Sequence, residues 1–316
     1  MIQLDRLTRR FGSFLAVDRV SFGVGKGEIV GLLGPNGAGK TTTMRMLTTY
    51  LTPTSGRARL AGFDVLDDPL EVRRSVGYLP ENVPLYGEMR VREFLRFRAR
   101  LKDVPRLKLR RSIGEVVARC RLEEVENRII GQLSRGFRQR VGLAEAMVHD
   151  PPILILDEPT AGLDPLQILE VRDLIRELGD RHTILLSTHI LPEVEAVCGR
   201  VIIIARGRIA LDERQEDLRR DTAIVVEARG PAEAIRAALQ TVPGVERVTL
   251  AGQDGDHAGF QVHTRGERDL REAVGLKLSA NGWPLRRLDL RRSSLEERFV
   301  QAVTQDTLAD AHREAG

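Results

Sequence analysis

Along the first third of the chain, apolar residues recur in short runs separated by glycine turns. Ile2, Leu4 and Leu7 alternate with polar neighbours, Val17–Val24 follows as a second strand, and Glu28–Leu33 is a short apolar strand. That last run leads into GPNGAGKTTTMRMLTTYL, where Met44, Met46, Leu47 and Leu51 predict a partly buried helix. Between Leu85 and Glu126 the texture turns charged and amphipathic, as in VREFLRFRARLK, and predicts an inserted helical subdomain. Short apolar strands return with PPILILDEP, HTILLSTH and VIIIARGRIAL, alternating with helical stretches such as DPLQILEVRDLIRELGD. Strands apolar on both sides, interleaved with helices, predict a mostly parallel α/β sheet covered on both faces.

After RQEDLRRDT the pattern changes again. Strand 223–228, helix 231–241, strand 245–250, strand 259–264, helix 267–280, strand 285–290 and helix 294–303 give the order βαββαβ plus a helix, a split-βαβ arrangement. The turn-forming AGQDGDHAG serves as the hairpin connection between the two middle strands. The expected organisation is a large α/β domain over 1–220 with helices at about 85–150, a smaller α+β domain over 221–305, and a flexible tail, 306–316.

Composition narrows the class. With 316 residues, 42% hydrophobic and 30% charged, the chain reads as globular, not disordered. Its longest apolar runs hold four or five residues, whereas a membrane span needs about 20. The start, MIQLDRLTRR, carries no secretory signal pattern, so a cytoplasmic location is expected. The 45 acids nearly balance the 49 bases and are interspersed with them, which predicts a mixed solvated surface and no nucleic-acid-tracking patch. Cys120 and Cys198, far apart in apolar surroundings, are expected to be buried free thiols.

Two segments carry chemistry. Gly34, Pro35, Asn36, Gly37, Ala38, Gly39, Lys40 and Thr41 complete the phosphate-loop pattern G-x-x-x-x-G-K-S/T between an apolar strand and a helix. Glycines let backbone N–H groups curl round a phosphate, and the helix start offers its positive end to the same anion. Lys40 would reach the β and γ oxygens, the Thr41 hydroxyl suits Mg²⁺, and Thr42 adds a hydroxyl near the α-phosphate. The second segment, Ile153–Glu158, ends an apolar strand in two adjacent carboxylates, at the sheet edge that faces the ligand crevice. Asp157 suits Mg²⁺, and Glu158 suits polarising the water that attacks the γ-phosphate.

Other motifs resemble one particular family. Leu133-Ser134-Arg135-Gly136-Phe137-Arg138-Gln139-Arg140 resembles the LSGGQ signature of ABC ATPases, Asp164 in AGLDP its D-loop, and His189 after ILLST its H-loop switch. Phe11 stands where that family stacks an aromatic on adenine. The resemblance covers roughly residues 1–220 and implies a P-loop NTPase core of ABC type followed by a ferredoxin-like domain. It implies that Ser134 and Gly136 of a second copy close the nucleotide site in a head-to-tail homodimer, with His189 sensing the γ-phosphate beside Glu158. The chain departs from the pattern at Arg135 and Phe137, where the family usually has Gly and Gln. A third departure is Glu81 in VGYLPEN, in place of the Q-loop glutamine; Glu81 is expected to contact Mg²⁺ or its water shell.

The stretches YLPENVPLYGEMRVREFL and LSRGFRQRVGLAEAMVHDPP resemble bacterial ATPases that pair with ABC-2-type permeases, including drug exporters. The implied function is an ATP- and Mg²⁺-dependent ATPase that powers export through a permease on a separate chain, peripheral on the inner face of the membrane. Pro84, Leu85 and Tyr86 are candidates for the permease contact, with loop packing as the other reading. The alternative, a soluble ABC ATPase acting on ribosomes or DNA, would call for two modules or a long coiled coil. One phosphate loop and a short 85–126 region supply neither.

Overall fold

Buried apolar runs set the frame of the protein. The computed structural model describes residues 1–220, 222–264, 269–292, 295–296, 298–300, 302 and 304. It divides into a unit built on residues 1–213 and a unit spanning Arg214–Val300.

The first unit opens with β1 (Ile2–Phe11) and β2 (Phe14–Val24), an antiparallel pair turned at Gly12. β3 (Ile29–Leu33) runs through the glycine loop into α1 (Lys40–Leu47). Next come β4 (Ser55–Leu60), β5 (Phe63–Asp64), α2 (Pro69–Ser75) and β6 (Val76–Leu79). Three helices follow, α3 (Val91–Leu101), α4 (Arg106–Arg119) and α5 (Arg135–Met147), each packed on the other two. The chain then alternates through β7 (Ile153–Asp157), α6 (Pro165–Gly179), β8 (Thr183–Thr188), α7 (Leu191–Val197) and β9 (Arg200–Ala205). It turns at Arg206-Gly207 into β10 (Arg208–Arg214).

Six strands form one sheet in the order β10-β9-β3-β8-β7-β6, and β6, β7, β8, β3 and β9 run parallel. β7 and β8 are buried at every residue, as strands covered on both faces must be. Both residues of the β9–β10 turn have positive φ, 46° and 78°, the conformation that matches the twist of a two-residue hairpin.

The early strands do not join that sheet. They make a separate antiparallel one, β2-β1-β4-β5, in which Ile2 faces Leu60 across 58 residues of chain. Between the two sheets lies α1. Its Met44, Met46 and Leu47 share one core with Ile2, Val20 and Leu60 on one side and Ile153 and Ile155 on the other. An eight-residue helix is too short to persist alone. Each of these buried side chains contributes about 1.5–3 kcal/mol, so packing holds the helix and the loop before it. A charge at Met44 would remove that support. The helix ends at Leu47, short of the Leu51 that the apolar spacing includes; Thr49 adopts a left-handed φ of 58° and turns the chain away.

The second unit contains α8 (Gln215–Arg220), β11 (Thr222–Arg229), α9 (Ala232–Gln240), β12 (Val245–Asp254), β13 (His257–Thr264), α10 (Arg271–Ala280) and β14 (Leu285–Arg292). Its sheet order, β12-β13-β11-β14, is antiparallel throughout and is the split-βαβ topology. Ile224, Val226, Phe260 and Val262 on one face pack with Ile235 and Leu239 of α9 and Val274 and Leu278 of α10. The connection 251–259 is shorter than its composition predicts. Strand pairing runs on to Asp254↔His257, because an antiparallel ribbon needs only its backbone groups paired. Of the helix expected over 294–303, the described residues 295–296, 298–300 and 302 are helical; the expected tail 306–316 lies outside the described residues. Among the described residues, no helix is long and apolar enough to cross a membrane. Cys120 and Cys198 are buried and unpaired, and burial pushes both thiols up, Cys120 to about 12.

Candidate functional site

The C-terminal edge of the parallel sheet gathers the predicted residues. β3 delivers the loop Gly34–Gly39, whose tip, Pro35, Asn36 and Gly37, is exposed while Ala38, Gly39 and Lys40 are buried. Two glycines are fixed by packing as well as by any ligand. A β-carbon on Gly34 would fall 2.3 Å from the Ile204 carbonyl oxygen, and one on Gly39 (φ 106°) 2.6 Å from that of Ala16. The loop is therefore wedged between β9 and β2. Lys40 folds back over it, its Nζ donating to the carbonyls of Gly34 at 2.7 Å and Pro35 at 3.3 Å.

β7 and β8 supply the opposite wall. Asp157 is fully buried; its Oδ1 accepts from Ser187 Oγ at 2.5 Å and Thr41 Oγ1 at 3.1 Å. Burial pushes this carboxyl up, the two hydroxyls pull it back, and the charges of Glu158 and Glu81 push it further up. Its Oδ2 is buried without a partner. Glu158 has a left-handed backbone, φ 49°, held by its N–H donating to both the carbonyl and hydroxyl oxygens of Ser187 at 3.1 Å. The same turn aims its carboxylate at two cations or potential cations: Oε2 lies 2.9 Å from His189 Nδ1 and Oε1 lies 3.5 Å from Lys40 Nζ. Such non-glycine strain, worth about 1–3 kcal/mol, persists only where surroundings enforce it.

A hydroxyl beside a carboxylate with one unsatisfied buried oxygen fits a hard divalent cation. Thr41 and Asp157 are the residues that would hold Mg²⁺ here. Among the described residues, no cluster of three or more His, Cys, Asp or Glu could hold a metal ion. Glu81 is exposed and acts on Asp157 through its charge. Thr42 stands in the first turn of α1, half-buried.

The signature and D-loop residues form a second cluster. Ser134 caps α5, its Oγ accepting from Phe137 N–H at 3.3 Å. Gly136 is buried against the Gln167 side chain, and Asp164 caps α6 by accepting from Gln167 N–H at 2.9 Å. Phe11 is 45% exposed at the β1–β2 turn, with the Arg9 guanidinium 4.5 Å from its ring centroid. The strand beyond that turn carries the Ala16 that backs Gly39. Tyr86 packs edge-on to Phe94 and Phe97 and stays 44% exposed, and Pro84 lines a cavity of about 700 Å³ with Tyr50, Tyr78 and Leu101.

Sequence reasoning passed over Ser187 and Glu193. Ser187 stands on β8, two residues before His189, which lies just past the end of that strand. Glu193 is buried on α7 and accepts from Thr160 Oγ1 at 2.6 Å and Thr188 Oγ1 at 2.9 Å. A glutamate in an otherwise unremarkable ILPEVE gives no signal by itself.

Comparison with known proteins identifies the family of this chain. Residues 17–161 match the family model described as ABC transporter. An uncharacterised ABC transporter ATP-binding protein, YxlF of Bacillus subtilis, is 36% identical over 96% of this chain and 99% of its own length. The bacitracin transport ATP-binding protein BcrA of Bacillus licheniformis is 32% identical over 98% and 99%. Among solved structures, an ATP-binding subunit of an ABC transporter superposes with a TM-score of 0.63 at 32% identity, over 69% of this chain and 92% of that one. The dimeric ATP-binding cassette MJ0796 with ADP and Pi superposes with a TM-score of 0.62 at 25% identity, over 68% and 98%.

Proposed function

The chain belongs to the ABC transporter ATP-binding family, and from that premise we propose that two copies hydrolyse ATP between them to drive an ABC-2-type export permease on a separate chain. The observation that carries the reading is the single network joining Lys40, Glu158 and His189 beside the Thr41–Asp157 pair. One residue from each of three elements meets at the sheet edge where a phosphate loop ends. A bound Mg²⁺ would neutralise charge on the β- and γ-phosphates.

In this reading the phosphate loop, Gly34–Thr42, wraps the triphosphate, and Lys40 exchanges its carbonyl partners for the β and γ oxygens. Glu158, no longer paired with Lys40, orients water and takes its proton as oxygen attacks the γ-phosphorus and the bond to ADP breaks. His189 holds the other oxygen of Glu158 and senses the γ-phosphate. Ser134 and Gly136 of the second copy close the open side of the phosphate, with Asp164 at that junction, and Phe11 stacks on adenine. Glu81 would act on a bound ion through its water shell.

The export direction and membrane-peripheral location rest on the relatives: YxlF spans nearly the same length, and the names of BcrA and of the daunorubicin resistance ATP-binding protein DrrA3 of Streptomyces coeruleorubidus tie those proteins to transport or resistance. The cavity bounded by Tyr50, Tyr78, Pro84 and Leu101 is where a cytosolic segment of the permease would insert.

Glu158→Gln tests the reading. The variant should bind ATP, hydrolyse it about a hundredfold or more slowly, as loss of a general base predicts, and accumulate as an ATP-bound dimer by light scattering. Hydrolysis at the parent rate with no dimer would defeat the assignment.

A further inference from the structure

Away from the phosphate loop, α3 and α4 wall a second cavity of about 700 Å³. Six arginines line it: Arg90, Arg92, Arg96, Arg100, Arg106 and Arg110. The one carboxylate in the lining is Glu93. Arg92, Arg96 and Arg100 recur every four residues and form one stripe along α3, and Arg106 and Arg110 do the same on α4, which packs against it. Buried Leu109 and Ile113 complete the lining. Arg92 pairs with Glu126 at 2.7 Å, and Arg90 donates to the Asn127 carbonyl. The side chains of Arg96, Arg100, Arg106 and Arg110 make no hydrogen bond or ion pair among the described residues.

This segregation departs from the rest of the surface. On another face of α4, Arg111 meets Glu115 at 2.7 Å, and elsewhere Arg200 meets Asp212 at 2.6 Å. Like charges four apart on a helix repel, so two such rows facing one cavity weaken their own helices unless an anion lies between them.

We propose that the cavity binds a compact anion bearing several phosphate groups, gripped by guanidinium forks from both helices. Guanidinium planes present paired donors that match phosphate oxygens. A phosphate monoester offers three strong acceptor oxygens and nearly two charges, against two oxygens and one charge for a carboxylate, so one group can take forks from both walls. No aromatic side chain lines the cavity, so it has no platform for stacking nucleic-acid bases. Its volume lies within the range typical of small-ligand sites. A free polyphosphorylated metabolite and a phosphorylated lipid headgroup share this chemistry. Because α3 and α4 both pack on α5, whose first turn Ser134 caps, an anion bracing them also steadies the helix that carries the signature.

The test uses the full chain saturated with Mg²⁺ and ADP, so that the phosphate loop is filled. Titration with inositol hexakisphosphate should raise the melting temperature and bind saturably, weakening by about tenfold or more as salt rises from about 50 to 200 mM. Arg96→Ala with Arg110→Ala should weaken binding at least about tenfold while leaving basal ATP turnover unchanged and unliganded melting no lower than the parent's, since a like-charge neighbour is removed from each row; Arg96→Lys with Arg110→Lys should lie between. Co-sedimentation with phosphatidylcholine vesicles that contain cardiolipin, whose headgroup carries two phosphates, lost in the same variants, would identify a lipid source, and inositol hexakisphosphate binding alone a free one. Binding of neither probe, or binding indifferent to all four substitutions, would overturn the proposal. Equal affinity for a hexaglutamate peptide would overturn it in favour of an acidic protein segment.

Discussion

The guanidinium of Arg135 lies directly against the backbone of Gly162. A β-carbon there would fall 2.3 Å from Arg135 Cζ and 2.4 Å from Nη1. Arg135 is one of the two residues that depart from the signature pattern, and Gly162 belongs to the D-loop segment of the same chain. The departure therefore has a partner within its own subunit: it ties the start of α5 to the turn before α6. Gly162 also needs its positive φ of 68°.

Gly162→Ala should accordingly cost about 1–3 kcal/mol of unfolding free energy through backbone strain, plus displacement of the guanidinium. Arg135→Gly removes the second part only. The double variant should be more stable than the sum of the two single losses predicts, by at least about 0.5 kcal/mol. Denaturant titration of the four proteins measures this, and strict additivity would mean that the contact carries no energy.

Much of the nucleotide site was legible because its chemistry is local. The spacing from Gly34 to Thr41 is set by one loop on one helix, and the apolar run Ile153–Leu156 announces a strand buried on both faces. The antiparallel sheet was not legible as a separate sheet, since Ile2 meets Leu60 and Leu4 meets Ala58 and nothing in either segment names its partner. The arginine cavity escaped for a related reason. Acids and bases mix along the sequence between Met89 and Arg121, and only helix packing sorts them. Glu193 is of the same kind, its two partners lying in a turn 33 residues away and at the end of β8, 5 residues away.

That glutamate acts as a positioning residue. Thr160 follows Glu158 by two residues and Thr188 precedes His189, so one buried carboxylate ties together the segments carrying both groups. Glu193→Gln replaces an oxygen acceptor by an NH₂ donor facing a hydroxyl. ATP turnover should fall about tenfold, as small misplacement of reacting groups predicts, with KM for ATP changed less than twofold. Glu193→Asp should restore part of the rate. An equal loss in both parameters would point to a general structural role.

Ser187 supports Asp157 in a comparable way, giving the shortest hydrogen bond to its carboxylate. Ser187→Ala leaves that buried group with Thr41 alone on Oδ1 and should cost about 1.5–3 kcal/mol, the range for hydrogen bonds to charged groups. Magnesium should then be needed at higher concentration for half-maximal ATPase activity. A magnesium titration of the variant checks this, and an unchanged midpoint would separate Ser187 from the ion site.

Acid should destabilise the fold through two histidines outside the site. Burial holds His149 down to about 3 and lowers His182 as well, both from the ordinary histidine value of 6.5. His149 Nδ1 and His182 Nε2 are buried without partners, so protonating either would place an uncompensated charge inside. Below about pH 6.5 the unfolded chain takes up these protons while the folded chain does not. For His149 the stabilising difference is therefore complete above pH 6.5 and drains away as pH falls toward 3, by at most about 1.4 kcal/mol per pH unit, and His182 acts in the same direction. His149→Gln should be less stable than the parent at pH 7.5, since it gives up a neutral ring fitted to the Val76 carbonyl at 3.2 Å. Its stability should nevertheless fall less steeply between pH 6.5 and pH 5. Because both proteins share every other titrating group, the difference between their slopes isolates His149. Parallel curves would mean that the imidazole is protonated in the folded protein, and that its burial does not exclude charge.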